Sequence, residues 1–385
     1  MSVWDEVVGQ QPTVDTLQAA VTSARADGAA MTHAWLFTGP PGSGRSIAAR
    51  AFAAALECDD AEAGCGACHS CRTVLAGSHP DVTQVRTEKV VIPVEDARAL
   101  VPLAQRAPST GRWRVILVED ADRLNDASGN ALLKALEEPT ARTVWLLCAP
   151  TADDVLVTIR SRTRRVALRT PPVAAVVELL VSRDGVDPTM AGFAARAAQS
   201  HIGLARRLAL DEQARIRRRS VVRVPTEVRS VGEAVLQAAA LLATATEEAA
   251  AATTERDEQE RVDLLRALGA DPSARTQPPH VRGQLADLQR DQKRRARRFV
   301  GDMVDRSLVD LLSVYRDVLV LLADPHADLV NAEVRPDLER LAAVIGSDGA
   351  LLRMEAVREA RLRLGTTMNV LLALEAMMLA LRTQR

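Results

Sequence analysis

Four of the five cysteines fall close together, as Cys58-x6-Cys65-x2-Cys68-x2-Cys71. Thiolates at this spacing favour a closed tetrahedral Zn²⁺ site, and short C-x-x-C steps also suit an iron–sulfur cluster. Four ligands leave no open coordination position, so a structural metal is expected, with no metal-bound water to do chemistry. Gly64 and Gly66 supply flexible backbone for the turns, and His69 is not needed as a ligand. The fifth cysteine, Cys148, lies in an apolar run.

A second group of residues points to phosphate. Gly39-Pro40-Pro41-Gly42-Ser43-Gly44-Arg45-Ser46 fits G-x-x-x-x-G-K-[ST] at every defined position except the lysine, which is Arg45. The glycines let backbone N–H groups converge on phosphate oxygens, and a helix N-terminus adds partial positive charge. Ser46 stands where a hydroxyl would coordinate Mg²⁺. Lysine reaches the β and γ phosphates as a compact point charge, whereas arginine is longer and planar and places its charge elsewhere. The chain has three lysines against 46 arginines, yet Lys134 is kept, so composition is a weak explanation for Arg45.

The run Arg114-Val115-Ile116-Leu117-Val118-Glu119-Asp120-Ala121-Asp122 is a buried strand that delivers acids to its C-terminal end. The usual order is Asp for the Mg²⁺ shell and then Glu to orient the attacking water. Here Glu119 comes first and Asp120 second, so each carboxylate is displaced by a methylene. A misplacement of about 1 Å can cost on the order of 100-fold in rate. Arg45 and the reversed acids together argue against hydrolysis. They leave binding of ATP or ADP with Mg²⁺ open.

The elements around these residues alternate. Val14–Ala24 reads as an amphipathic helix, 34–37 as a buried strand, and 39–44 as a glycine-rich turn leading into the helix Ser46–Ala55. A strand over 113–118, a helix over 128–138 ended by Pro139, and a strand over 144–148 follow. Such alternation predicts an α/β domain whose parallel sheet is covered on both faces. Beyond about residue 170 the strand signals stop. Residues 173–211 read as short helices. From about 228 onward the chain is helical except at Gly269–Pro279, with final helices over about 281–324, 331–346, 350–364 and 366–383. Their leucine and valine stripes read as helix packing.

The 385 residues predict two or three domains. Lys plus Arg number 49 and Asp plus Glu 50, a balance that argues against a surface built to coat nucleic acid. Aromatic residues make up 2% of the chain, so stacking platforms for single-stranded bases are not expected and the cores should be aliphatic. The sequence lacks a stretch of ~18 apolar residues and the n- and h-regions of a signal peptide at its start. A cytoplasmic location is the expectation.

The motifs, taken in order, resemble one family. Val7-Val8-Gly9-Gln10 resembles a box that cups adenine, and His33-Ala34-Trp35-Leu36-Phe37-Thr38-Gly39-Pro40-Pro41-Gly42 a family strand and phosphate loop. The four cysteines match a zinc module inserted after that loop's helix. Asn130-Ala131-Leu132-Leu133-Lys134-Ala135-Leu136-Glu137-Glu138-Pro139 is very close to the family's NALLKxLEEP helix. Thr158-Ile159-Arg160-Ser161-Arg162-Thr163 resembles its TIRSRC segment, and Gly203-Leu204-Ala205-Arg206 its sensor-2 helix start. Over about residues 3–210 the chain is similar to the AAA+ clamp-loader subunits of bacterial DNA polymerase III.

That resemblance implies an AAA+ P-loop domain over 1–167 with a zinc module at about 57–80, a small helical lid over 168–215, and an all-α collar for oligomerisation over 216–385. The ending Met368–Glu375 suits such a collar, and 237–285 reads as an insertion. Arg162 takes the role of an arginine finger acting in trans, Arg206 that of sensor 2, and Thr151 is the one polar candidate for sensor 1. The implied partners are gamma/tau-type and delta subunits in a hetero-oligomeric ring, with the β sliding clamp and primed DNA reached through the complex and no membrane. The defects at Arg45, Glu119 and Asp120 favour a non-hydrolysing stator. The alternatives are an active motor subunit of the gamma/tau type and a zinc-dependent nucleic-acid-binding protein. The basic runs Arg215–Arg219 and Arg290–Arg298 could meet DNA or acidic partners.

Overall fold

Apolar runs flanked by turn residues become a five-stranded parallel sheet with the strand order β2-β3-β4-β1-β5. The computed structural model describes residues 2–26, 31–87, 91–271, 274, 277–364 and 369–383. The chain divides into two compact units, Met1–Leu210 and Asp211–Arg385.

The first unit opens with a short 3₁₀ turn, Val3–Glu6, and α1 (Gln11–Arg25). Then come β1 (Ala34–Thr38), α2 (Arg45–Glu57), α3 (His69–Leu75), β2 (Val82–Val85) and α4 (Val94–Ala104). β3 (Arg114–Val118), α5 (Asp126–Glu137), β4 (Thr143–Ala149), α6 (Val157–Arg160) and β5 (Arg164–Ala167) complete the sheet. Three helices follow it: α7 (Val173–Asp184), α8 (Pro188–Ala197) and α9 (Ile202–Leu210).

β1 pairs with β4 on one side and β5 on the other, and β3 joins β4 to β2. Because side chains alternate along a strand, β1 serves two cores. Trp35 and Phe37 join the core under α1 and α2, while Ala34 and Leu36 join the one under α4 and α5. Trp35 meets Phe52 edge to face with ring centroids 5.1 Å apart. The few aromatics are therefore concentrated inside: Trp35, Trp145, Tyr315, Phe37 and Phe52 are the largest fully buried side chains. Burying each contributes about 1.5–3 kcal/mol.

The strands expected over 34–37, 113–118 and 144–148 are present. β2, β5 and α4 carry weaker sequence signals. β2 is an edge strand only partly buried along its length, β5 carries two exposed arginines, Arg164 and Arg165, and α4 contains Pro102.

The second unit consists of α10 (Glu212–Glu227), α11 (Val231–Ala267), α12 (Pro279–Ala323), α13 (Arg335–Leu364) and α14 (Val370–Leu381). Its core gathers Leu241, Leu308, Leu311, Tyr315, Leu338 and Met378, among others. The break expected near 346–350 is a single non-helical residue, Gly346 at φ +59°, within α13. Of the helix expected over 366–383, residues 366–368 lie outside the described residues, as does Met368 of the ending expected to suit a collar.

The stretch read as an insertion, 237–285, covers most of α11 and the start of α12. Its residues Asp257 and Glu260 on α11 pair with Arg295, farther along α12. The basic runs are largely absorbed by acids of the same chain. Arg217 pairs with Asp211 and Glu248. Arg218 is buried against Asp310 at 3.2 Å and Glu333 at 2.9 Å. Arg290 and Arg294 pair one helical turn back with Asp287 and Asp291.

Candidate nucleotide and metal sites

The C-terminal edge of a parallel sheet is where loops converge, and β1, β3 and β4 end there together. β1 runs into the glycine-rich turn, whose first residue donates its N–H to the Pro150 carbonyl at 3.0 Å, just past β4. Gly42 and Gly44 take φ values of +82° and +88°, which side chains rarely tolerate, and α2 starts directly after them. Gly39, Pro40, Pro41, Gly42, Ser43, Gly44, Arg45 and Ser46 thus form a strand–loop–helix turn with the helix N-terminus aimed at the loop.

The side chains around the loop are already engaged. The Arg45 guanidinium donates to the carbonyl of Gly39, the first residue of its own loop. Burial pushes its acidity up, and the nearby Asp122 and Asp120 oppose that. The Glu119 carboxylate accepts from the Gln84 amide on β2, and Asp120 accepts the Thr87 N–H at 3.1 Å. Burial raises the pKa of Asp122, with Asp120 adding to the effect. The Ser43 hydroxyl is buried without a hydrogen-bond partner.

α9 packs on the loop through His201. A β-carbon on Gly42 would lie 2.4 Å from His201 Cγ, and the His201 ring accepts the Leu204 N–H at 3.2 Å, capping α9. Arg206, one turn into that helix, pairs with Asp184 at the end of α7 at 3.0 Å. Thr151 is tied to Asp154 at 2.9 Å. Gln10 fixes the opening segment: its amide donates to the Arg169 carbonyl and its oxygen accepts the Arg169 N–H at 3.1 Å.

Arg162 lies just after α6, at the entry to β5. Its guanidinium donates to the Thr158 carbonyl at 2.7 Å, to Ser161 Oγ at 3.2 Å, and to the Glu137 carboxylate at the end of α5. His201, Glu137 and Asp184 were not singled out from the sequence as partners of these positions. Each lies many residues from the group it meets, and although Glu137 stands in the Asn130–Pro139 motif, nothing in that motif marks it as the partner of Arg162.

The cysteines are gathered between α2 and α3. All four Sγ atoms lie within 4.8 Å of one another, with Cys58 to Cys65 at 3.7 Å and Cys68 to Cys58 at 3.9 Å. A tetrahedron with Zn–S bonds of about 2.3 Å has edges of about 3.8 Å, so the set fits one tetrahedral ion. A multi-iron cluster needs its cysteine sulfurs spread wider. The Cys68 and Cys71 N–H groups donate to Cys65 Sγ and Cys68 Sγ at 3.3 Å and tie the loop around the cluster. Burial pushes Cys58 up, but the backbone N–H groups of Cys65, Gly64 and Asp60 outweigh it and hold Cys58 at about 7.

Gly64 and Gly66 have positive φ, and Gly64 also makes room for the N-terminus. A β-carbon there would lie 2.7 Å from Val3 Cγ2, and Val3 N–H and Ser2 Oγ both donate to the Gly64 carbonyl at 2.9 Å. His69 is exposed and outside the cluster.

The strand order, the phosphate loop after β1, the acids after β3 and the helices following β5 in the chain define the first unit as an AAA+ P-loop domain, with a four-cysteine module inserted after α2; a helical second unit follows in the sequence. Comparison with known proteins narrows the class. Residues 9–172 match the family described as DNA polymerase III, delta subunit. DNA polymerase III subunit delta' of Pseudomonas aeruginosa is 38% identical over 167 residues, 42% of this chain and 51% of that protein. The delta' subunit of Yersinia pestis is 40% identical over 134 residues, 34% of this chain and 39% of that protein. Subunit gamma/tau of Mycobacterium tuberculosis is 33% identical over 187 residues, 47% of this chain and 32% of that protein.

The chain thus spans about half the length of the first of these relatives and less of the others. Over this N-terminal part the chain is similar to delta' and gamma/tau subunits of DNA polymerase III. Among the described residues, no helix is long and apolar enough to cross a membrane.

Proposed function

We propose that this protein is the delta-prime, or stator, subunit of a bacterial clamp loader, which helps place the β sliding clamp on primed DNA in the cytoplasm. Residues 168–215 act as its lid and 216–385 as its collar. It joins gamma/tau-type and delta subunits in a ring and gives Arg162 to the neighbouring ATP site as an arginine finger. Zn²⁺ held by Cys58, Cys65, Cys68 and Cys71 has a structural role.

The observation that carries this reading is Arg45 at the lysine position of the strand–loop–helix phosphate turn, at the start of α2. Its planar guanidinium places charge elsewhere than the compact ammonium that reaches a γ-phosphate. The carboxylates that would hold Mg²⁺ and water are engaged by Gln84 and Thr87. A finger in trans, by contrast, needs only a guanidinium near the surface, and Arg162 retains about a third of its side-chain exposure.

The test is ATP turnover by the metal-loaded chain alone and within the reassembled complex. The isolated chain should show no turnover, and Arg162→Ala should cut turnover at the adjoining site by ~10³–10⁵. Turnover by the isolated chain that is lost in Asp120→Asn would instead make it a motor subunit.

A further inference from the structure

The Arg162–Glu137 pair is fixed by packing rather than by chance contact of two long side chains. α6 is locked against α5: a β-carbon on Gly129 of α5 would lie 2.2 Å from Leu156 Cδ1, and Ile159 is fully buried beside it. The Arg162 guanidinium is then held on one nitrogen by the Thr158 carbonyl and Ser161 Oγ, and on the other by Glu137. Glu137 is the last residue of α5, and Glu138 follows it as the C-cap. A carboxylate at the negative end of a helix is disfavoured by the helix dipole. Its presence there, aimed at a guanidinium, calls for an explanation other than helix stability.

We propose that Glu137 is a positioning residue that restrains Arg162, keeping its charge neutralised within the subunit until a neighbour's phosphate competes for it. This rests on the arginine-finger reading above. A carboxylate beside the finger repels an incoming phosphate oxyanion and must give up its share of the guanidinium before the finger can act. Both side chains are partly exposed, 34% for Arg162 and 46% for Glu137, so the pair is weak and the restraint is shallow. It sets a threshold for engagement without preventing it.

The experiment measures DNA-stimulated ATP turnover by the reassembled complex carrying native chain, Glu137→Gln, Arg162→Ala or both. Glu137→Gln should raise turnover by about two- to fivefold, Arg162→Ala should lower it, and the double variant should match Arg162→Ala. Glu137→Ala should raise turnover as Glu137→Gln does, since the carboxylate is what restrains. Turnover by Glu137→Gln at or below native, with Arg162→Ala still impaired, would overturn the restraint and leave the finger standing. A rise that persists in the double variant would also overturn it. If Arg162→Ala leaves turnover unchanged, the finger reading fails and the restraint with it.

Discussion

Asp81 is a fully buried carboxylate at the start of β2, and the loop before β3 is built around it. It accepts the N–H groups of Ser109, Thr110 and Gly111 at 2.7 Å each and pairs with Arg114 at 2.8 Å. Burial alone would raise its pKa, but the Gly111, Ser109 and Thr110 amides outweigh it and hold the carboxyl well below its usual range. Because the folded pKa lies below the unfolded value, this stabilisation is present at neutral pH. It is lost as pH falls below about 4. Asp81→Ala strands the buried Arg114 and should cost the first unit about 3–5 kcal/mol, read as a lower melting temperature and a flatter acid limb. Glu57, the last residue of α2, accepts the Arg112 and Trp113 N–H groups of the same loop and has the opposite sign: burial pushes it up to about 7, so its contribution declines as pH rises from about 4.5 towards 7. At this scale, residues whose chemistry depends on local spacing were legible in the sequence. The phosphate loop and the four cysteines are of that kind. His201 against Gly42, Asp184 on Arg206 and Glu137 on Arg162 were not, because the fold alone brings them together.

The cysteine module shows how elements depend on one another. Its first ligand ends α2, its last lies in α3, and its turn at Gly64 receives the 3₁₀ segment Val3–Glu6. Arg25 at the end of α1 donates to the carbonyls of Cys58, Asp60 and Ala61 at 2.7–3.0 Å. Metal loss therefore loosens four elements at once. Removing an ion bound at about a thousandfold excess over its Kd withdraws about 4 kcal/mol. Chelation or Cys58→Ser should lower the melting temperature of the first unit and release one Zn²⁺ per chain, measured by a colorimetric metal assay. A coloured chromophore bleached on release would point to iron instead. Elements with a continuous apolar run, such as β1, β3 and β4, could be read from sequence. β2 and β5 could not, since an edge strand and an arginine-bearing strand are specified by the neighbours they pair with.

Across the whole molecule, the two units keep separate cores, one on both faces of the sheet and one among α10–α14. Calorimetry should therefore resolve two transitions. Asp81→Ala should shift only one of them. Arg218→Ala, which strands Asp310 and Glu333 in the second unit, should shift only the other, by a similar ~3–5 kcal/mol. A single transition moved by both variants would contradict this. The placement of β1 between β4 and β5 also has a consequence during synthesis. The strand that carries the phosphate loop leaves the ribosome ahead of its partners, which follow only after about a hundred further residues, a wait of roughly 5–20 s at bacterial elongation rates. Through that interval Trp35, Leu36 and Phe37 have no sheet to enter. The nascent chain is at its stickiest there, and a holding chaperone has its clearest opportunity to bind.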